Sequence, residues 1–110
     1  MNINTEFSIY CGANIGSGEA LRTVSDDDFA GFLRVHVTPV FPGFTVRTSV
    51  GYWQGEPETV RELVILASGD TLTAARVQTI ARSYCGRFSQ ECALVTETAA
   101  RVSFPTAVGS

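Results

Sequence analysis

The sequence is poor in the residues from which most self-contained sites are built. It has one histidine, His36, and three cysteines, Cys11, Cys85 and Cys92, with no CxxC spacing and no neighbouring histidine. Metal centres converge several such donors, so no metal is expected. His36 reads as a helix or core residue, and the thiols read as reduced and mostly buried. No local Ser/His/Asp or Cys/His motif supports a nucleophile. A basic excess is missing too: net charge is −3 and pI about 5.0, which argues against nucleic acid as a partner and suits a cationic or neutral small ligand. The longer apolar runs, such as Leu63–Ala67, fall far below bilayer length, so no membrane span is expected. Met1–Phe7 has neither a basic start nor a hydrophobic segment. The expected location is therefore the cytosol.

What is present suffices for one compact core. At 110 residues and 45% hydrophobic content, the expectation is a single domain over 1–110 with 105–110 as a loose tail. Glu6–Cys11 alternates as a half-buried strand. The glycine loop Gly12–Gly18 follows, but it lacks a Lys-Ser/Thr pair, and the next helix opens with Asp26, Asp27 and Asp28. Those carboxylates would repel a phosphate, so Ser25 is read as an N-cap and a phosphate loop is rejected. Phe29, Phe32, Leu33 and His36 form a helical stripe that Thr38-Pro39 stops. A second helix runs from Thr71 or Leu72 to Phe88 on a stripe of Val77, Ile80, Ala81, Tyr84 and Phe88, with Arg76, Arg82 and Arg87 on its solvated side. Glu91–Thr96 is a strand, and Ala99–Phe104 is expected to be one more.

Between the helices, Phe44–Trp53 and Thr59–Ala67 read as a β-hairpin turning at Gly55 and Pro57. A register that pairs Tyr52 with Glu62 sets Val50 opposite Val64 and Thr48 opposite Leu66, placing a phenol and a carboxylate together at one end of an apolar strip. Glu62 is the oddest residue in the chain, because VRELVIL is a pattern that usually excludes charge. The plain alternative is a frayed strand with Glu62 solvated beside Arg61. Whether Arg47 or Arg61 reaches a ligand carboxylate is left open by the sequence.

The order β-α-β-β-α-β plus a C-terminal strand matches an α+β, ferredoxin-like split βαβ plan, a two-layer sandwich with both helices on one sheet face. Val60, Val64 and Leu66 then need a cover that two helices cannot supply, so a homo-oligomer is expected. Analogy with signal-transduction proteins of the nitrogen-regulatory type suggests a cyclic trimer.

The second half of the chain resembles the small phage-encoded S-adenosylmethionine lyases, formerly called S-adenosylmethionine hydrolases. The likeness lies in Gly51-Tyr52-Trp53, Glu62, Ile80-Ala81-Arg82 and Phe88-Ser89-Gln90-Glu91-Cys92-Ala93-Leu94-Val95. The same skeleton, including Thr38-Pro39 and Phe41-Pro42-Gly43, is also similar to an uncharacterised family of small bacterial proteins. The first resemblance implies cleavage of S-adenosylmethionine to methylthioadenosine and L-homoserine lactone, in a phage counter-defence setting, at sites between subunits of a trimer in the host cytosol. It implies Tyr52 and Glu62 as catalytic residues, with Trp53 the alternate to Tyr52. Gln90 is implied for substrate binding, although it also reads as a cap of the helix end, and Trp53 or Phe88 for packing on adenine.

Such a reaction suits a sparse site and needs no cofactor. The substrate's own carboxylate attacks its γ-carbon and expels sulfur as a neutral thioether, so folding the methionine arm supplies the rate. Glu62 would hold the sulfonium or α-ammonium. Two other readings compete: a non-catalytic module of the same fold binding a nucleotide-like ligand, and a small protein that blocks a host enzyme through its open sheet face.

Overall fold

The computed structural model describes residues 2–16, 18–91 and 93–107. Cys92, Ser17 and the last three residues of the expected tail lie outside the described residues. The chain runs through β1 (Thr5–Gly12), β2 (Asn14–Ile15), β3 (Arg22–Thr23), α1 (Asp26–Phe32), a π-turn (Leu33–Val37), β4 (Thr45–Trp53), β5 (Glu56–Ala67), α2 (Thr71–Arg87) and β6 (Leu94–Ala99). Four strands form one antiparallel sheet in the order β4-β5-β1-β6. This α+β arrangement is compatible with the ferredoxin-like plan. The short β2-β3 ladder is made from the glycine loop and the segment before α1.

Each helix starts where a side chain satisfies a free backbone N–H. Ser25 Oγ accepts from Asp28 N at 3.0 Å, and Asp70 Oδ1 accepts from Thr73 N at 2.7 Å. These bonds hold the Asp70 carboxyl below its ordinary value. The first helix changes pitch after Phe32: Thr38 N donates to Leu33 O at 2.9 Å, the five-residue spacing of a π-turn, and Pro39 follows. At the other end of α2, Ser89 takes a positive φ of 53° and Gln90 N donates to Cys85 O at 3.0 Å. That is the six-to-one bond of a Schellman stop.

Alternation along β1 and β5 decides which residues meet the helices. Phe7, Ile9 and Cys11 on β1 and Leu63 and Ile65 on β5 are buried against Val77, Ile80, Ala81 and Tyr84 of α2 and Phe29 and Phe32 of α1. The aromatic rings interlock: Phe32 meets Tyr84 edge-on at 5.3 Å, Tyr84 lies 5.0 Å from Phe88, and the half-buried His36 stacks on Phe32 at 5.2 Å. Tyr84 brings a polar tip into this core, and its hydroxyl donates to Gly12 O. Burial accordingly pushes the Tyr84 phenol above its ordinary range.

Two sequence expectations are corrected here. Ala99–Phe104 forms no additional strand, because one strand, Leu94–Ala99, uses the pairing positions beside β1 and residues 100–107 carry no regular structure. The hairpin register also differs. Its turn is only Gln54-Gly55, with φ values of 50° and 81°, the left-handed pair that a tight two-residue hairpin requires. Pro57 therefore lies inside β5, opposite Tyr52. There its missing N–H faces away from β4 and beyond the point where β1 pairing stops, at Gly12 opposite Val60.

Candidate functional site

The corrected register separates the two residues expected to stand together. Glu62 pairs with Arg47, and Tyr52 pairs with Pro57. Tyr52 lies five positions beyond Arg47 along β4, roughly 17 Å at ~3.4 Å per residue. Because five is odd, Tyr52 also points to the opposite sheet face from Glu62. Trp53, one residue further, shares the register face of Glu62 but lies at the hairpin tip. Tyr52 and Trp53 are each 73% exposed. Within one chain, neither aromatic reaches the carboxylate.

A phenol does stand beside Glu62, and it is Tyr10. On its other side β5 pairs with β1, and the register sets Tyr10 directly opposite Glu62. Directly opposed residues keep their Cβ atoms about 4.5–5.5 Å apart. The row across the sheet is therefore Arg47, Glu62, Tyr10 and, on β6, Leu94. Arg47 Nη2 lies 3.2 Å from Glu62 Oε1. The pair is lopsided: the Arg47 side chain is 57% exposed and the Glu62 side chain only 14%. Glu62 is thus shielded on a face that carries no helix, and the reading of it as a frayed, solvated residue fails. Nothing in the local sequence couples Tyr10 to Glu62, since they are brought together by a β1-β5 ladder between distant parts of the chain.

Arg61, the neighbour of Glu62, points the other way. It is buried, donates to Val24 O at 2.9 Å and to Asp26 Oδ1 at 2.8 Å, and lies 5.2 Å from the centroid of the Phe29 ring. This arginine fastens the entry of α1 to the sheet and is committed there. Arg47 is the guanidinium left for the open face.

The remaining nominated residues lie at the far end of α2. Gln90 is half-buried, and its Nε2 donates to Asn14 O, so its amide ties the Schellman stop to the loop after β1. This loop is fixed from a second side by Glu58, whose Oε2 accepts from Asn14 N at 3.0 Å. The carboxylate lies close over Gly12, where a Cβ would meet it at 2.9 Å and push it aside. Phe88 is 7% exposed and packs among Tyr84, Phe32 and the guanidinium of Arg87. With its ring so enclosed it is a core residue, contrary to the expectation that it packs on adenine.

Cys11 is buried beneath the same sheet, and burial, helped by the charge of Cys85, pushes its thiol from 9.0 to about 12. Such a thiol stays protonated and is a poor nucleophile. Among the described residues, no group of three or more His, Cys, Asp or Glu side chains comes together to hold a metal, and no helix is long and apolar enough to cross a membrane. A hollow of about 460 Å³ opens on the helix layer between Val35, His36, Val40 and Leu72. It contains none of Tyr10, Arg47, Glu62 or Gln90. The chemistry-bearing groups sit instead on the flat sheet face, where a cleft would require a second surface.

With this geometry in place, comparison with known proteins adds two findings. The family described as "Protein of unknown function (DUF3574)" matches residues 6–104. The chain belongs to that family. No curated protein matches it. Among solved structures it is similar to a phage SAM lyase in complex with S-methyl-5'-thioadenosine, with a TM-score of 0.69 and 16% sequence identity over 90% of this chain and 83% of that one. At that identity the likeness carries the fold, which family membership alone does not describe.

Proposed function

We propose that this protein is an S-adenosylmethionine lyase that releases methylthioadenosine and L-homoserine lactone, acting as a homotrimer with its sites between subunits. The observation that carries the reading is the shielded carboxylate of Glu62 on the open face, in a fold whose structural neighbour holds methylthioadenosine. The step needs no outside reagent. One carboxylate oxygen of the substrate forms a bond to Cγ, the Cγ–S bond breaks, and its electron pair returns to sulfur, so the sulfonium becomes a neutral thioether and no proton moves. Holding the arm in that attack geometry supplies the rate, up to about 7–11 kcal/mol in well-oriented intramolecular models. Glu62 steadies a cationic group of the substrate. It must not favour the sulfonium over the transition state, in which that charge is disappearing, so the α-ammonium is the better partner.

The aromatic part of the site comes from the hairpin arm of a second copy. Val50, Tyr52 and Trp53 are all exposed at the tip, and such an apolar arm extends past its own core toward a neighbour. Trp53 or Tyr52 delivered this way covers the adenine, and Gln90 borders the ligand from the end of α2 with its amide oxygen. Incubation with S-adenosylmethionine, followed by mass spectrometry, should reveal methylthioadenosine and homoserine lactone in equal amounts. Their absence at both dilute and concentrated protein would sink the enzyme reading. Glu62→Gln should remove turnover.

One observation favours a second reading, a non-catalytic module that binds the same class of ligand: Glu62 already has an ionic partner in Arg47. Calorimetry that finds tight binding of S-adenosylmethionine, with the ligand recovered intact, would select it.

A further inference from the structure

Resting on the proposed S-adenosylmethionine reading, we infer that the Arg47–Glu62 pair is the receptor for a zwitterionic amino-acid head group, with Arg47 taking the α-carboxylate and Glu62 the α-ammonium. Three observations converge on it. First, the two side chains are directly opposed on β4 and β5 and touch through a single contact, Nη2 to Oε1 at 3.2 Å. A guanidinium carries five N–H donors and a carboxylate about four acceptor sites. The pair therefore keeps most of its capacity and can open to admit one anion and one cation side by side.

Second, the burial is unequal in a useful way. Glu62 is held at 14% side-chain exposure while Arg47 is 57% exposed on the edge strand, so the fixed member is the carboxylate and the adjustable member is the arginine. Third, the charges of the face fit the ligand class. Among the sheet strands the register places Glu6, Glu56, Glu58 and Glu62 on this face with Arg47 as its cation, and Glu58 is already engaged by Asn14 N. A ligand with two positive groups and one carboxylate matches this pattern, and the lone arginine has one anionic group to receive. Tyr10, opposite Glu62 on its other flank, closes the row so that the ammonium meets the carboxylate beside an aromatic face.

The arginine should serve binding more than chemistry. In the transition state the substrate carboxylate loses charge to the forming ester bond, so an arginine held on it stabilises the ground state more than the transition state. Arg47→Ala should therefore raise KM by about tenfold or more, with a smaller effect on kcat.

The deciding experiment compares two uncleaved ligands by calorimetry: S-adenosylhomocysteine, which has the head group, and methylthioadenosine, which lacks it. The wild-type protein should bind S-adenosylhomocysteine at least tenfold more tightly than methylthioadenosine. Arg47→Ala should erase that preference while leaving methylthioadenosine affinity within about twofold, and Arg47→Lys, which keeps the charge without the fork, should restore part of it. Circular dichroism of both variants checks that the edge strand still folds, and if alanine disrupts it the lysine variant carries the comparison. Equal wild-type affinity for the two ligands, binding of neither, or an Arg47→Ala loss shared equally by both would overturn the inference. Preference for S-adenosylhomocysteine without any cleavage of S-adenosylmethionine would support the receptor and remove the lyase, so the two ideas fail separately.

Discussion

One face of the sheet is a closed core and the other is open and carries the candidate site, yet both are made from alternate residues of the same strands. On the helix side, Phe7, Ile9, Leu63 and Ile65 are fully covered, and Arg61 is tolerated because its guanidinium ends on Val24 O and Asp26. On the open side, Tyr10, Glu62 and Arg47 form a polar row, and Leu66 and Leu94 are exposed. Consecutive residues Arg61 and Glu62 thus have opposite duties. A strand's period of two lets one element supply packing and chemistry at once, and the cost of a charge is met differently on each side.

This contrast can be broken most forcefully from the closed side. Phe32→Ala removes a fully buried ring in contact with Tyr84, Phe88 and His36, and should cost about 3–5 kcal/mol of stability, read as a lowered denaturant midpoint. If it costs under 1 kcal/mol, the aromatic cluster is not the centre of the fold. From the open side, Glu62→Gln should leave the denaturant midpoint nearly unchanged and lower S-adenosylmethionine turnover by at least about 100-fold, the scale of losing one preorganised electrostatic partner. A variant that loses stability and activity in proportion would make Glu62 a fold residue.

Arg61→Ala tests the claim that its neighbour differs in kind. It strips the partner from Val24 O and should cost about 2 kcal/mol, with little of this coming from the Asp26 pair, because Asp26 is almost wholly exposed. Any loss of ligand affinity greater than the loss of stability would contradict the division of labour between the faces.

A pH titration sharpens the same point with a smaller effect. The unfolded chain loses the Cys11 proton near 9.0, whereas the folded chain keeps it to about 12. The contribution is therefore complete below pH 9 and declines as pH rises from 9 toward 12. Tyr84, also raised from 10.0, acts in the same direction from a higher starting point. Melting temperatures followed from pH 7 to 10.5 should be level and then fall beyond pH 9; a Cys11→Ala variant should fall less steeply, and identical slopes would dismiss the thiol as the cause. The smallest stability effect belongs to the hairpin tip. Trp53→Ala should change stability by no more than about 0.5 kcal/mol while weakening the proposed self-association in light scattering, and an unchanged mass distribution would remove the arm from the proposed interface.

Most of the helical layer was legible in the linear pattern. Ser25 caps the first helix, the second starts at Thr71, and the stripe through Val77, Ile80, Ala81 and Tyr84 is the buried one, because a cap and a period of 3.6 are local properties. The hairpin was legible as a hairpin but not in register. Pro57 looks like a turn residue in sequence and sits in a strand in space, since the β1 ladder stops before it. The candidate site was legible in its carboxylate and in Arg47 as one of two candidate arginines, but not in Tyr10. Phe88 resembled a ligand shelf until the crossing of α1 and α2 enclosed it.

By itself the sequence determined the first strand, the central hairpin between two helices, both helix starts, the inner stripes and the presence of one misplaced charge in a greasy strand, because each of these is set within a few residues by backbone sterics and side-chain period. Only the tertiary structure decided what that charge stands beside. Tyr10 and Arg47 reach Glu62 through two antiparallel ladders that join distant stretches, and a register between such stretches follows from turn geometry and whole-sheet packing, not from any neighbouring residue.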